Sequence, residues 1–509
     1  MLRRWVRIFL IETKNHKITY LTLGLVLLLG LFVRVYRTDQ ILGFYFDQGR
    51  DALEIWELWH KGDFFLIGPT TGIAGIFRGP FYYYLIAPFY LLGGGNPVWP
   101  AVFLALTTVV AITLLYYLGM KIQDRTTGLV AATIASFSFY IILASRWLSN
   151  PTPMLLLSVL LVWMMILVTE GKRQAWIGIA AILGLSLFNF GSSGELFYFP
   201  AVLIFAVWQA CLPAGRRKNL PSKKTFLVSC FLFLISLLPL VIFDIKNNGI
   251  LINNIKKFLD EEQTFKLSFT EVLSQRLKFY YDVVISKIFA GRGRNEERII
   301  LVFTTAFIFF FRGLIKKKGV KILVLLLLSP MVGLLFFQGN YGNIYDYYIT
   351  GYYLIFILLF AIVLGRVWKY KLGKILVIYF FYLFYSANVP VLWSKLNDKV
   401  DGPTTIAFGN QKRAIDWIYK DVSGKEFSID VYVPPVIPYA YDYLFIWYGG
   451  TKKRYQPSKD LINPLYTLYE VDPPHPERLE AWLARQKGIG RVEKEERFGG
   501  IVVQRRKRL

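Results

Sequence analysis

The sequence predicts an α-helical polytopic membrane protein that carries a small C-terminal α/β domain. Hydrophobic residues make up 55% of the 509 residues and aromatic residues 17%, and the mean hydropathy is +0.43. These values exceed what the surface of a water-soluble globular protein tolerates. The apolar residues also fall into runs of roughly 20 residues, the length that an α-helix needs to cross a bilayer.

About eleven apolar segments are long enough to be read as membrane-spanning helices. The first runs from Ile18 to Tyr36. Because no small-residue cleavage site follows it, we expect it to remain as an anchor. The stretch Phe81–Leu92 is too short for a comfortable span, so we predict a juxtamembrane or re-entrant helix there. The other ten predicted spans are residues 97–119, 127–144, 152–169, 175–190, 196–212, 225–243, 299–311, 320–337, 347–365 and 373–390.

The net charge of +25 reflects membrane topology rather than binding to nucleic acid. Lysine and arginine concentrate in short loops between apolar runs, which is the pattern of positive residues retained on the cytoplasmic side. The basic residues before the first span therefore place the N-terminus in the cytoplasm, and that span delivers the next loop to the outside; they are Arg3, Arg4, Arg7, Lys14 and Lys17. We predict a multi-pass protein of the cytoplasmic membrane that contacts membrane lipids, with an extracytoplasmic C-terminus.

The chain divides into a transmembrane module, residues 1–390, and a C-terminal extracytoplasmic domain, residues 391–509. Within the module, residues 37–96 form the first outer loop and residues 244–298 a second long outer loop. The C-terminal part has fewer apolar residues and is interrupted by prolines. Its predicted elements are strands at 427–433 and 500–504 and a helix at 476–486.

Acidic and basic side chains are concentrated in the first outer loop. Asp47, Arg50 and Asp51 follow one another closely, and Arg78 precedes a proline. Polar residues at a helix mouth of a membrane protein are unfavourable unless they have a function. If residues 48–59 are helical, Asp47, Asp51 and Glu54 lie on neighbouring turns of one face, where they could jointly face a hydroxyl or a cation.

These residue types suit the transfer of a group from a lipid phosphate to a hydroxyl. A carboxylate can take the proton of the attacking hydroxyl, and an arginine donates paired hydrogen bonds to phosphate oxygens while staying charged. We therefore predict Asp47 and Asp51 as catalytic acids. The predicted substrate-binding residues in this loop and at other outer helix ends are Arg50, Arg78, Arg146, Asn150, Glu195 and Asp346.

The first outer loop resembles that of the polyprenyl-phosphate-sugar-dependent glycosyltransferases of the dolichyl-phosphate-mannose protein mannosyltransferase and aminoarabinose transferase type. The resemblance extends over about residues 18–390. In that family an acidic pair is followed by an arginine, an alanine, a Gly-Asp step and a basic-Pro segment that leads into a tyrosine-rich helix. The matching residues here are Asp47-Gln48, Arg50, Ala52, Gly62-Asp63 and Arg78-Gly79-Pro80-Phe81-Tyr82-Tyr83-Tyr84.

The resemblance implies a GT-C fold and an integral membrane glycosyltransferase. Such an enzyme moves a hexose or pentose from a polyprenyl-phosphate donor to a hydroxyl of a protein, lipid or glycan at the outer membrane face, and direct attack implies inversion. Asp47 would act as the base or organise it, Arg50 and Arg78 would hold the lipid phosphate, and Tyr82 would contact substrate. Asn150 stands where the family has a second acid, so either Asp51 or Glu195 takes that role or one acid suffices.

The resemblance leaves open a divalent cation, Mg²⁺ or Mn²⁺. With only three histidines in the chain, a histidine-rich metal site is excluded. The ligands would instead be carboxylate oxygens of Asp47, Asp51 or Glu195 together with water.

Two alternatives to this function stay open. A non-enzymatic carrier or exporter of lipid-linked saccharides would place ionisable residues at mid-membrane depth. Here the acidic residues instead cluster at the end of one predicted membrane helix. An oligosaccharyltransferase-like enzyme would share the first loop. It usually carries a Trp-Trp-Asp acceptor motif, which residues 391–509 lack.

Overall fold

A computed structural model of the chain describes residues 12–73, 75–211, 219–261, 268–291, 293–337, 343–434, 437–453 and 455–509. Arg3, Arg4 and Arg7, on which the predicted orientation depends, lie outside the described residues. Within the described ranges the chain is mainly helical, and its strands form a single small sheet near the C-terminus.

Each of the eleven predicted spans is helical, as is the short segment at Phe81–Leu92, but the span at 127–144 forms two helices. Three spans begin or end in π or 3₁₀ turns, at Ser186–Phe190, Ser193–Phe197 and Asp346–Tyr352. In chain order the α-helices are α1 (Lys17–Val35), α2 (Thr38–Ile41), α3 (Phe46–Lys61), α4 (Phe81–Leu92), α5 (Val98–Ile122), α6 (Arg125–Phe137), α7 (Phe139–Arg146), α8 (Met154–Thr169), α9 (Ala175–Leu185), α10 (Tyr198–Ala210), α11 (Lys223–Lys246), α12 (Ile250–Glu261), α13 (Phe269–Ser286), α14 (Arg294–Leu314), α15 (Lys318–Gly333), α16 (Tyr353–Val367), α17 (Lys371–Leu396), α18 (Phe408–Val422), α19 (Tyr439–Leu444) and α20 (Pro476–Ile489).

The lengths and apolar content of these helices support a multi-pass membrane protein. Among the described residues, six helical segments are long and apolar enough to cross a membrane, and the pair α6–α7, bent by 64°, adds a seventh. The apolar helices α4 and α8 and the segment 175–190 are shorter. The predicted spans at 299–311 and 320–337 form α14 and α15, which are not among these seven. The total of eleven crossings therefore stays a prediction.

The C-terminal part folds around a four-stranded sheet in the order β1-β2-β4-β3. The strands are β1 (Ser428–Tyr432), β2 (Leu465–Glu470), β3 (Gly490–Phe498) and β4 (Ile501–Arg508). β1 and β2 are parallel, whereas β4 is antiparallel to both of its neighbours. The predicted strands at 427–433 and 500–504 and the helix at 476–486 are confirmed. The sequence reasoning missed β2, β3 and α18. In the case of β3, the strand is mostly charged and exposed and lacks the alternation typical of a half-buried strand.

This C-terminal sheet domain packs directly on the loop formed by residues 37–96. A Cβ atom at Gly49 would lie 2.3 Å from the backbone nitrogen of Ala440, so glycine allows α3 and α19 to touch through their backbones. The Gln411 side chain donates to the Phe44 carbonyl at 2.8 Å, and the Trp447 indole donates to the Gly94 carbonyl at 2.7 Å. The domain therefore supports the segment that carries Asp47.

Candidate functional site

Asp47 lies in the first turn of α3, so the helix that the spacing argument assumed at residues 48–59 is present. The backbone N–H of Tyr45 donates to the Gln48 side chain at 3.1 Å, and this contact fixes the start of the helix. Gly62, with φ of +77°, ends it. The Asp47 side chain is 59% exposed, so its carboxylate is accessible to a substrate.

Arg50 joins several parts of the first outer loop. Its guanidinium lies 2.8 Å from Asp47 and 2.7 Å from Asp51, and it donates to the Thr70 hydroxyl at 2.9 Å. Burial opposes the charge of Arg50, but Asp51 and, to a smaller extent, Tyr83 and Asp47 raise its pKa above the usual value. Arg50 is thus a charged link between α3 and the residues that follow it.

Asp51 is buried behind Arg50 rather than facing open space. Its Oδ1 accepts hydrogen bonds from Arg50 and, at 3.0 Å, from the Tyr83 hydroxyl. Burial raises the pKa of Asp51 to about 6, because the loss of water outweighs the opposing effect of Arg50. Glu54 on the same helix is exposed. The three acids that the helical spacing places on one face therefore have different environments.

Arg78 is held at the end of the loop by backbone contacts on both sides. Its own N–H donates to the Pro69 carbonyl at 3.1 Å, and the next residue, Gly79, donates to the Phe188 carbonyl at 2.6 Å. A Cβ atom at Gly79 would lie 2.1 Å from the Asn189 side chain, so only glycine fits there. The Arg78 guanidinium donates to the carbonyl of Gly191, which fixes the position of its charge.

A cavity of about 1160 Å³ opens beside these residues, and Asp47, Arg78 and Asn150 all line it. Its polar part also includes Thr70, Thr71, Trp147, Ser149, Ser192, Ser193, Tyr345, Tyr347 and Tyr348. Three of the predicted site residues, far apart in sequence, are therefore assembled at a single cavity.

The remainder of the cavity is apolar. Side chains of α11 and α12 line it, and so does Phe337, which follows α15. Asp244, in the last turn of α11, is buried and accepts a hydrogen bond from the Leu251 N–H of α12 at 2.7 Å, so it holds the turn between the two helices. The apolar lining residues on the two helices are Leu237, Leu240, Val241, Ile245, Leu251, Ile252, Ile255 and Phe258.

Arg146 and Asn150 lie on the segment that leaves the bent pair α6–α7. Asn150 lines the cavity and donates to the Phe190 carbonyl at 3.1 Å. Arg146 donates instead to the carbonyls of Val33 and Tyr36 at 3.0 and 3.1 Å. In this placement Arg146 ties α7 to the end of α1 rather than contacting the cavity.

Glu195, Asp346 and Tyr82 also lie outside the cavity lining. Glu195 is fully buried and accepts from the backbone N–H groups of Ser192 and Gly351 at 2.6 and 2.9 Å. Asp346 pairs with Lys287 at 2.6 Å. Tyr82 is buried among apolar residues, and no hydrogen-bond partner for its hydroxyl is present in the described part of the chain. These three residues support neighbouring segments instead of bordering the open space.

The predicted cation ligands do not form one ligand set. Asp51 is bonded to Arg50 and Tyr83, and both Glu195 oxygens accept from backbone N–H groups. Among the residues that the structure describes, no group of three or more His, Cys, Asp or Glu side chains is placed to hold a metal ion. Asp47, Asp51 and Glu195 therefore do not form a shared cation site, and the divalent cation stays a prediction.

Sequence reasoning missed the aromatic side of the cavity. Trp147, Tyr345, Tyr347 and Tyr348 belong to its lining, although they resemble the aromatic residues common at membrane interfaces. The available signal was the run Tyr345-Asp346-Tyr347-Tyr348, where only Asp346 was selected as a site residue.

Comparison with known proteins supports the fold and part of the resemblance. Residues 78–243 match the sequence model of the family described as dolichyl-phosphate-mannose-protein mannosyltransferase, so the predicted resemblance is confirmed over that part of the chain, which is less than half of it. A search of curated protein sequences found no significant match.

Solved structures match nearly the whole chain at low sequence identity. The apo crystal structure of ArnT from Cupriavidus metallidurans matches with a TM-score of 0.62 and 11% identity, over 97% of this chain and 98% of that one. The chain therefore has the fold of ArnT, which confirms the predicted GT-C class.

Two further matches have TM-scores below 0.5 and add nothing to the fold assignment. ArnT from the same organism bound to undecaprenyl phosphate gives 0.47 with 13% identity, over 96% of this chain and 97% of that one. The oligosaccharyltransferase AglB from Archaeoglobus fulgidus, in complex with an inhibitory peptide and a dolichol-phosphate, gives 0.48 with 12% identity, over 94% and 73%.

Proposed function

We propose that this chain is an integral membrane glycosyltransferase that moves a sugar from a polyprenyl-phosphate donor to an acceptor hydroxyl. The observation that carries the proposal is the cavity that joins Asp47 and Arg78 to an apolar wall on α11 and α12. The match of residues 78–243 to a family of dolichyl-phosphate-mannose-dependent transferases supports it. The ArnT-like fold is compatible with it.

The two parts of the cavity fit the two parts of such a donor. An apolar lining formed by leucine, isoleucine, valine and phenylalanine side chains suits a polyprenyl chain, because burying apolar surface is favourable and needs no specific geometry. Arg78 lines the same cavity as the apolar side chains of α11 and α12. It supplies the charge and the paired donors that a phosphate requires.

Asp47 is the proposed proton acceptor. The acceptor hydroxyl oxygen attacks the anomeric carbon as the bond from that carbon to the phosphate oxygen breaks, and the hydroxyl proton passes to the Asp47 carboxylate. The polyprenyl phosphate leaves as an anion beside Arg78, which stabilises its charge. Direct attack from the face opposite the phosphate inverts the anomeric centre, so a product with the donor's own configuration would contradict this route.

The contact between α3 and α19 supports placing the C-terminal domain on the same side of the membrane as Asp47, because Gly49 and Ala440 touch. We assign that side to the exterior and the N-terminus to the cytoplasm. The sheet domain then lies where a protein, lipid or glycan acceptor would approach.

Transfer of labelled sugar from purified polyprenyl-phosphate sugars to a membrane extract tests the proposal. The wild-type protein should give labelled product with at least one donor, and Arg78→Ala should raise the donor KM by about tenfold or more, because a charged hydrogen bond to phosphate is lost. Arg485→Ala, which removes an exposed arginine of the C-terminal domain, is the matched control. If no donor gives product, and the protein instead moves lipid-linked saccharides across the membrane of reconstituted vesicles, the protein is a carrier and not an enzyme.

A further inference from the structure

Four aromatic side chains form a continuous surface on one side of the cavity, here named the aromatic wall: Trp147, Tyr345, Tyr347 and Tyr348. The rings of Tyr345 and Tyr347 stack with centroids 5.7 Å apart and planes within 5°. Trp147 meets Tyr347 edge-on at 5.8 Å. Tyr345 is 50% and Tyr347 37% exposed, so ring faces remain open to the cavity.

The aromatic wall borders the place where the reacting carbon must lie. Direct attack requires the anomeric carbon to sit between the proton acceptor, Asp47, and the leaving phosphate, which Arg78 holds. Tyr347 lines the same cavity as both of these residues, and the charges of both act on its hydroxyl. A sugar ring attached at that carbon would therefore lie in the cavity that Tyr347 borders.

An ion pair between a buried lysine and a half-exposed aspartate holds the aromatic wall in place. Lys287, which is 2% exposed, pairs with Asp346 at 2.6 Å and lies 4.2 Å from the ring centroid of Tyr353. The Tyr353 hydroxyl also donates to the Asp346 carboxylate. Asp346 is the residue between Tyr345 and Tyr347, so this contact fixes the backbone that presents both rings. A preformed wall binds a ligand without the entropy loss of ordering it.

We propose that the aromatic wall is the subsite for the sugar ring of the donor. The C–H groups on one face of a pyranose or furanose carry partial positive charge, and the face of an aromatic ring carries partial negative charge. Stacking of the two removes apolar surface from water and leaves the sugar hydroxyls free for Asn150 and the serines of the cavity. This inference rests on the proposed function, because it assumes a polyprenyl-phosphate sugar in the cavity.

The test compares binding of a polyprenyl phosphate with and without its sugar to the purified protein in detergent. Wild type should bind the sugar-bearing lipid about tenfold more tightly than the bare lipid, which corresponds to about 1.4 kcal/mol. Tyr347→Ala should lose this difference and keep its affinity for the bare lipid, whereas Tyr347→Phe should retain the difference because the ring remains. Tyr379→Ala, from a stacked tyrosine pair with Tyr382 outside the cavity, should behave as wild type.

Lys287→Met extends the test to the support of the wall. This variant should bind the sugar-bearing lipid less tightly than wild type does, without a change in its affinity for the bare lipid. The reason is that Lys287 acts through Asp346 and does not contact the ligand.

The other outcomes contradict the inference in distinguishable ways. If Tyr347→Ala still binds the sugar-bearing lipid more tightly than the bare lipid, the ring of Tyr347 does not contact the sugar. If it loses affinity for both lipids equally, Tyr347 contacts the phosphate instead. Equal binding of both lipids by wild type would mean that no sugar subsite contributes. Binding of neither lipid would overturn the proposed function itself.

Discussion

Arg50 and Asp47 form an ion pair across one turn of α3, with Nη1 of Arg50 2.8 Å from Oδ1 of Asp47. The same guanidinium holds Asp51 and the Thr70 hydroxyl. Asp47 would otherwise be a mobile, largely exposed side chain. Its position at the cavity therefore depends on Arg50, which does not itself line the cavity.

Arg50→Lys should lower kcat about tenfold or more and leave the donor KM nearly unchanged. A lysine ammonium cannot bridge two carboxylates and a hydroxyl in the fixed geometry of a guanidinium, and a general base contributes about 10²–10⁴-fold when correctly placed. Steady-state kinetics would measure both constants, with Lys61→Ala, which breaks an exposed pair on the same helix, as the control. A raised KM with unchanged kcat would instead place Arg50 on the donor phosphate, as the family resemblance implied.

The stability of the protein should depend on pH through Asp51. Burial raises the pKa of this carboxyl from 3.8 to about 6, so the folded protein binds its proton more tightly than the unfolded chain does. The stabilising contribution is then complete below about pH 4 and is lost as the pH rises through about 6. The pKa difference corresponds to about 3 kcal/mol.

Thermal unfolding of purified protein between about pH 4 and 7 measures this contribution. Asp51→Asn should flatten the dependence, because the amide does not titrate. Asp63→Asn, at an exposed position of the same loop, should keep the wild-type dependence. Identical curves for wild type and Asp51→Asn would show that Asp51 titrates normally.

Gly49→Ala should loosen the contact between α3 and the C-terminal domain. The added Cβ would meet the backbone of Ala440 at 2.3 Å, and overpacking of this kind costs about 1–3 kcal/mol. We expect a lower unfolding midpoint and faster proteolysis of the C-terminal domain. Gly488→Ala is the control, because a Cβ there meets nothing within 4 Å. Wild-type behaviour of Gly49→Ala would mean that the two backbones are not in contact.

The fold could be predicted largely because apolar periodicity and charge distribution are local properties of the sequence. The helix at Phe46–Lys61, the short helix at Phe81–Leu92 and the strands near 427–433 and 500–504 appear where they were predicted. The strand β3 was missed because it pairs only with β4 and presents mostly charged residues to solvent.

The candidate site was predictable in part. Asp47, Arg78 and Asn150 were selected from the loop pattern and the family resemblance, and they meet at the cavity. Glu195 and Asp346 were selected for their charge at helix mouths, but sequence alone does not reveal that backbone N–H groups or Lys287 bind them. The aromatic wall was missed since its position depends on contacts between segments about 200 residues apart, such as that of Trp147 with Tyr347.

The most direct test of the account is sugar transfer by Asp47→Asn and Asp63→Asn at equal expression, with wild type beside them. Asp47→Asn keeps the side-chain volume but cannot accept a proton, so transfer should fall by about 10²-fold or more while the binding of polyprenyl phosphate is retained. Asp63→Asn should transfer sugar at the wild-type rate. Wild-type transfer by Asp47→Asn would contradict the assignment of Asp47 as the proton acceptor.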